Sequence, residues 1–131
     1  MSEAKLRQSV ASLGRALGRL DEALREPDTN PLAIDGTIQR FEFAIELLWK
    51  TLKRVLEHEG IQTRTPREAL REAYQAGWLD DEVSWLQMLR DRNETSHIYD
   101  EVMARKIYER IREYAPKMRR VYELLVQKYL D

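Results

Sequence analysis

The chain has 131 residues, of which 43% are hydrophobic and 34% are charged, and 22 Lys and Arg balance 23 Asp and Glu to a formal net charge of −1. This length fits one domain over residues 1–131 and excludes a multidomain enzyme. The near-zero balance argues against general wrapping of a nucleic-acid backbone, although a local basic cleft could still bind RNA. Because there is no cysteine and there are only two histidines, we expect neither a metal site nor a cofactor.

No apolar run approaches the roughly 20 residues that a membrane-spanning helix needs, and residues 1–10 lack the apolar stretch of a secretory signal. We therefore expect a cytoplasmic protein with no membrane partner.

The first two predicted helices follow from apolar residues at alternating steps of three and four. The first helix should end near Arg25. Asn30 is the predicted cap of the second, with Pro31 in its first turn. That helix should run to about Glu59, because Gly60 can supply the left-handed residue that commonly follows a helix end. The two stripes consist of Leu6, Val10, Leu13, Leu17, Leu20 and Leu24, and of Ile34, Ile38, Phe41, Ile45, Leu48, Leu52 and Val55.

A capping box predicts the start of a short third helix. Thr65 and Glu68 can each accept a hydrogen bond from an end N–H group. The helix should run to Ala76 and stop at Gly77.

The fourth and fifth helices flank a polar segment. The fourth should run toward Arg92, and its predicted apolar face consists of Val83, Leu86 and Leu89 or Arg90. The fifth should start at about Asp100, with a kink or a broken turn near Arg112 to Pro116. We expect this helix to continue past the proline, because its apolar stripe stays in register on both sides. Spacings near 3.5 favour crossing angles of about 20°. The predicted fold is therefore all-α, an up-and-down antiparallel helical bundle of about four long helices and a short one.

The polar segment carries Arg92 and His97, five residues apart. On an unbroken helix these side chains would lie about 140° apart around the axis. Either the helix opens near Asn93 to Ser96, or the two groups meet across a symmetric dimer.

One chemical interpretation of this pair is RNA cleavage without a metal. His97 would exchange protons with a ribose 2′-OH or the leaving oxygen, while Arg92 holds the phosphate. Asn93 and Ser96 are candidate supporting residues, and Asp100 could orient the His97 ring from within helical reach. The alternative is that His97 packs at a helix end while Arg92 pairs with a nearby carboxylate.

Two further residue groups have more than one interpretation. Glu42, Glu46, Lys50 and Lys53 continue one face of the second helix. They form either a solvated, ion-paired face or a polar lining opposite His97. Several aromatic residues could stack on bases but are expected in the core. These are Phe41, Phe43, Trp49, Trp78 and Trp85.

The R-x4-H-x-Y motif that starts at Arg92 and ends at Tyr99 resembles that of the HEPN superfamily, in particular its HepT-like or nucleotidyltransferase substrate-binding branch. Residues 41–53, 65–73 and 85–89 resemble the same branch. The similarity covers about Leu6 to Leu125.

This resemblance implies a HEPN-like bundle that forms a homodimer, with Arg92 and His97 as the catalytic pair of a metal-independent RNase. It also implies a small nucleotidyltransferase partner, usually encoded by a neighbouring gene, and a toxin–antitoxin pair. In HepT systems the partner transfers AMP to the motif tyrosine, which corresponds to Tyr99. The older family name implies instead a noncatalytic subunit that presents a substrate to the transferase. A dimer would also cover Ile98, Tyr99 and Trp85, which a lone bundle leaves exposed on our prediction.

Overall fold

The computed structural model describes residues 3–98 and 100–130, and in these ranges the chain is helical, with no strand. Five α-helices and one short 3-10 turn follow one another. They are α1 (Glu3–Arg25), α2 (Pro31–His58), α3 (Pro66–Gln75), α4 (Glu82–Glu94), the 3-10 turn (Thr95–His97) and α5 (Glu101–Tyr129). The predicted all-α class is confirmed.

The predicted helix boundaries agree with the structure because local capping chemistry fixes them. The Asn30 side chain accepts a hydrogen bond from the Leu32 N–H at the start of α2. Gly60 and Gly77, which follow the ends of α2 and α3, have φ values of 89° and 83°. This left-handed conformation is open to glycine at little cost.

The capping box of α3 differs in one partner from the predicted one. Thr65 Oγ1 accepts from the Glu68 N–H at 3.1 Å, as expected. Glu68 Oε2 accepts from the N–H of Arg64, at 2.9 Å, so the carboxylate reaches one residue beyond the cap.

The three long helices pack on one another around a common core. Thr51 lies beside Ser9 and Arg40 beside Arg19, so α1 and α2 run antiparallel. Tyr129 contacts Glu59 where both helices end, and α5 therefore runs in the same direction as α2.

Helix α4 runs antiparallel to α5, since Asp81 contacts Lys117 and Asp91 contacts Arg110. The four longer helices therefore alternate in direction, and the predicted up-and-down bundle is confirmed, with α3 as the additional short helix.

The apolar face predicted for α4 is wrong. Val83 is 75% exposed, whereas Trp85, Met88 and Asp91 are the buried residues of this helix. The three buried positions are spaced by three, and they lie on a different face from the one expected. Leu86 is only half-buried.

Expectations for two aromatic residues need correction, whereas the one for Pro116 does not. Phe43 was expected in the core but is 60% exposed, while Trp85 is fully buried within one chain and needs no dimer to cover it. Helix α5 continues through Pro116, as its apolar stripe on both sides of the proline predicts. The proline lies on the exposed face, where water can bind the carbonyl group that its missing N–H leaves free.

Candidate functional site

The candidate site lies where α4 ends. Helix α4 stops at Glu94, residues Thr95–His97 form a 3-10 turn, and Ile98 is extended with φ −87° and ψ 113°. The helix therefore opens within the segment Asn93 to Ser96, which was one of the two predicted alternatives. Poor helix formers in this segment favour the change of geometry.

Arg92 is held by α2. Its Nη2 atom donates to Glu46 Oε2 at 3.3 Å, and the same oxygen accepts from Trp49 Nε1 at 3.1 Å. The Arg92 side chain is 41% exposed, so other N–H groups of the guanidinium face solvent. Its Nε atom is buried and has no hydrogen-bond partner among the described residues.

A second contact from α2 fixes the turn after α4. Thr95 Oγ1 lies 2.9 Å from Glu42 Oε2 and 2.6 Å from the Arg92 carbonyl oxygen. Glu42 and Glu46 both face the motif segment. For these two residues, the polar lining opposite the motif is the better interpretation of the α2 face.

Asp91 is an anchor that the sequence interpretation missed. Its carboxylate accepts hydrogen bonds from Arg110 Nη1 and the Tyr114 hydroxyl, both on α5. Burial, followed by the hydrogen bond to Asp91, raises the pKa of Tyr114 well above its ordinary value. The signal was present in the sequence, because Asp91 follows Trp85 and Met88 at helical spacing.

Ideal helix geometry directs the side chains of His97 and Arg92 to different sides of a single chain. Each residue adds about 100° in an α-helix and 120° in a 3-10 turn, so the two side chains come to lie roughly 170° apart. The imidazole is exposed. It has no hydrogen bond or ion pair with any residue in the described ranges.

Asn93 and Ser96, two of the predicted supporting residues, lie at the end of α4 and in the turn after it, whereas Asp100 lies at the start of α5. Asn93 is exposed, and its carbonyl oxygen accepts from Ser96 Oγ at 3.3 Å. Asp100 caps α5, where its Oδ1 accepts from the Met103 N–H at 2.8 Å. Because Ile98 is extended, Asp100 does not follow His97 on one helix, and the expected helical reach is absent.

Lys50 and Tyr99 complete the predicted set. Lys50 lines a surface pocket between α1 and α2 rather than the motif. Tyr99 lies outside the described residues. The structure thus brings Arg92 and Glu46 together. No contact joins Arg92 to Lys50 or to His97 among the described residues.

Over residues 3–98 and 100–130 there is no group of three or more His, Asp or Glu residues placed to bind a metal ion. In the same ranges, no helix is both long enough and apolar enough to cross a membrane.

This arrangement can bind a phosphate and move a proton. Arg92 offers N–H groups on a planar, permanently charged guanidinium. A histidine ordinarily titrates near neutral pH, so an exposed imidazole can act as an acid or a base.

The helical fold and this motif define the class of protein. Residues 6–127 match a family described as nucleotidyltransferase substrate binding protein like, and the chain belongs to this family. The resemblance found in the sequence is confirmed.

Two solved structures and one curated protein are similar to the chain. A "Probable ribonuclease HepT" of Haemophilus influenzae is 35% identical over 100 residues, which are 72% of this chain and 68% of that protein. A Thermus thermophilus protein shares 37% identity with a TM-score of 0.81, over 86% of this chain and 98% of that one. A second Haemophilus influenzae structure shares 28% identity with a TM-score of 0.69, over 95% and 98% of the chains. Its fold is described as that of a substrate binding domain of a nucleotidyltransferase.

Proposed function

We propose that the chain is a metal-independent endoribonuclease whose site forms across the cleft of a homodimer. Arg92 and His97 are the catalytic residues in this proposal. The family of the chain and its similarity to a protein named as a probable ribonuclease support the proposed activity.

One observation carries the proposal. The change from α-helix to 3-10 turn between Arg92 and His97 leaves the first residue beside Glu46 and the second exposed without a partner among the described residues. A two-fold axis near this turn would place the Arg92 of each copy opposite the His97 of the other, because an isologous contact joins the same segment of both chains.

The proposed reaction needs only a base, an acid and a phosphate clamp. A neutral His97 takes the proton from a ribose 2′-OH, whose oxygen forms a bond to the adjacent phosphorus. The bond from phosphorus to the 5′ oxygen breaks, and the partner subunit's His97, in its protonated form, gives that oxygen a proton. Arg92 stabilises the charge that develops on the phosphoryl oxygens. The products are a 2′,3′-cyclic phosphate and a 5′-hydroxyl.

Cleavage of single-stranded RNA in EDTA tests this activity. His97→Ala should abolish cleavage, whereas His58→Ala should retain it, because His58 lies at the end of α2 against Tyr129. Both proteins must be free of host nucleases. Cleavage that requires a divalent metal, or that survives His97→Ala, would overturn the mechanism.

The assembly is tested separately by light scattering. We expect twice the chain mass of 15.6 kDa at micromolar concentration. A monomer with full activity would contradict the shared cleft.

A noncatalytic subunit of a two-component nucleotidyltransferase is the second candidate function. The solved relative described as a substrate binding domain of a nucleotidyltransferase favours it. It predicts no RNA cleavage by the free protein, no growth defect on expression alone, and a tight complex with the transferase encoded by a neighbouring gene.

A toxin–antitoxin pair would combine the ribonuclease with a nucleotidyltransferase partner that inhibits it by modifying Tyr99. In this proposal the Tyr99 oxygen attacks the α-phosphorus of ATP at the partner's site, pyrophosphate leaves, and the phenolic proton is released. The attached AMP adds negative charge and bulk to the motif and repels RNA.

Intact mass measurement after incubation with the partner, ATP and magnesium tests the modification. The mass should rise by one or more AMP units, and Tyr99→Phe should abolish the rise. Tyr74→Phe is a matched control, because Tyr74 is also exposed. An unchanged mass, or a rise that persists in Tyr99→Phe, would reject the assignment.

A further inference from the structure

A continuous groove runs between α1 and α2. Two surface pockets make it up, of about 640 and 490 Å³, and they share Ser12 and Leu47. Its lining contains six cationic side chains, although the chain as a whole has a net charge of −1. The six are Lys5, Arg15, Arg19, Arg40, Lys50 and Arg54. Glu46 is the single carboxylate in the lining.

The cations of the groove differ in their partners from those of α5. Arg15 donates to Ser12 Oγ at 3.0 Å, and Arg54 donates to Ser9 Oγ. The side chains of Arg19 and Lys50 have no ion-pair partner within residues 3–98 and 100–130. On α5, by contrast, most cations contact carboxylates. These are Arg105, Arg110, Lys117, Arg119 and Arg120.

Arg40 is intermediate between these cases. It donates to the Arg19 carbonyl oxygen at 2.7 Å and approaches Glu22 at 3.4 Å. Four of the six groove cations have no ion pair within the described ranges, so the groove concentrates positive charge. These four are Arg15, Arg19, Lys50 and Arg54. A concentration of this kind attracts a polyanion.

Phe43 lies in the same groove and is 60% exposed. An exposed aromatic ring among arginines offers a flat surface on which an unpaired base can stack. Glu46, which lies one helical turn further along α2, also lines the groove and holds Arg92. The groove and the motif are therefore neighbours.

We propose that the groove between α1 and α2 binds the phosphate backbone of single-stranded RNA, with Phe43 stacked on a base, and leads the strand to Arg92. This inference rests on the proposed ribonuclease function, since it names the surface that receives the substrate of that site. From Lys5 to Arg19 the groove is about 21 Å long, at a rise of about 1.5 Å per residue. A single strand is favoured over a duplex because stacking on Phe43 requires an unpaired base.

Fluorescence anisotropy with a labelled single-stranded RNA of mixed sequence tests the groove. We use the His97→Ala protein as the background so that the probe stays intact. The double variant Arg19→Gln and Lys50→Gln should weaken binding about tenfold, and it should lower the salt slope of log Kd by about 1.4, since each lost phosphate contact on a single strand contributes about 0.7.

A matched double variant controls for net charge. Arg71→Gln and Lys106→Gln remove the same two charges from exposed positions on α3 and α5. This control should bind RNA within about twofold of the background protein. If both double variants weaken binding equally, the groove is not the RNA-binding surface.

Phe43 is tested by its own pair of variants. Phe43→Ala should weaken binding at least about fivefold, whereas Phe43→Trp should retain it, because base stacking depends on the ring. Light scattering is measured on the same samples. If Phe43→Ala dissociates a dimer instead, the groove is an interface between copies and the proposal is wrong.

Two outcomes separate this inference from the proposed function. If the protein without substitutions and without attached AMP neither binds nor cleaves RNA, the ribonuclease function fails and the groove proposal fails with it. If the protein without substitutions cleaves RNA and the groove double variant cleaves and binds it equally well, only the groove proposal fails.

The groove double variant is also tested for binding to the nucleotidyltransferase. If it loses this binding while its RNA affinity is unchanged, the groove receives a protein and the proposal is wrong.

Discussion

Arg92 Nη2 lies 3.3 Å from Glu46 Oε2, and this contact joins the end of α4 to the middle of α2. The two side chains are 41% and 31% exposed. The pair therefore contributes little to stability, because water screens it. Its role is to hold the guanidinium at one place beside the motif.

Replacing Glu46 should separate two effects of this carboxylate, which positions the Arg92 guanidinium and competes with RNA phosphate for it. Glu46→Gln should tighten RNA binding about two- to fivefold, because a carboxylate no longer competes with phosphate for Arg92. It should also lower kcat, because the guanidinium loses its fixed place. Anisotropy and single-turnover cleavage measure the two effects.

The control for this change is Glu94→Gln. Glu94 is exposed at the end of α4, the helix that carries Arg92, and has no ion pair within the described ranges. An equal effect of both variants on RNA affinity would mean that net charge, and not the contact with Arg92, is responsible.

Asp91, which directly precedes the motif, should contribute more to stability than the exposed charged residues of α4. Its side chain is 3% exposed and pairs with Arg110, which is 40% exposed. Asp91→Asn should lower the free energy of unfolding by about 2 kcal/mol, less than for a fully buried pair because one partner reaches water. Urea unfolding measures the change.

An exposed ion pair provides the comparison for Asp91. Asp80 contacts Arg120 at 3.1 Å, and the two side chains are 60% and 56% exposed. Asp80→Asn should cost less than about 1 kcal/mol. Equal losses in the two variants would argue against Asp91 as the anchor between α4 and α5.

Stability should fall at alkaline pH because two tyrosines resist ionisation in the fold. Burial, with hydrogen bonds to Asp91 and Glu59 respectively, raises the pKa of Tyr114 and Tyr129 above the ordinary value. An unfolded tyrosine ionises near pH 10. The stabilisation is therefore fully present below about pH 10 and is lost progressively as the pH rises through the folded pKa.

Urea unfolding between pH 8 and 11 measures this dependence. The double variant Tyr114→Phe and Tyr129→Phe should show a flatter decline above pH 10. Tyr74→Phe, at an exposed position, should follow the unsubstituted protein. A decline that is as steep in the double variant would contradict the role of these two hydroxyls.

Two glycines of α1 should respond in opposite directions to alanine. A Cβ atom at Gly14 would lie 2.5 Å from the Tyr122 hydroxyl oxygen, whereas one at Gly18 would meet nothing within 4 Å. Gly18→Ala should raise the free energy of unfolding by about 0.5–1 kcal/mol through helix propensity. Gly14→Ala should lower it by about 1 kcal/mol, because Tyr122 must move.

Thermal or urea unfolding of the two variants gives the answer directly. Each is the control for the other, since both lie inside the same helix. A higher free energy of unfolding in both variants would show that Tyr122 moves aside at no energetic cost.

The sequence predicted the class and the ends of the helices well because those depend on local chemistry. The caps at Asn30 and Thr65 and the left-handed glycines at 60 and 77 act within a few residues of each helix end. The face of α4 could not be predicted in the same way. Choosing between the Val83 stripe and the Trp85 stripe depends on which helices lie next to α4, and that is a tertiary property.

The site was predicted in part for the same reason. Arg92 and Glu46 were both named, but their contact joins residues far apart in sequence, which spacing alone cannot pair. Asp91 was missed because a charged residue on a buried face needs partners such as Arg110 and Tyr114, and these come from another helix. Phe43 was expected in the core because aromatic residues of a helix are usually buried. It lies instead in the exposed groove between α1 and α2, which only the packing of the two helices defines.

Glu46 has a consequence for any ligand of this surface, because one carboxylate borders the groove and also holds Arg92. Two sites that share a side chain are thermodynamically coupled. A ligand that draws Arg92 away from Glu46 changes the potential in the groove, and a ligand in the groove changes the free energy of that separation by the same amount. Occupancy of either site is therefore communicated to the other through a single residue, without a rearrangement of the helices.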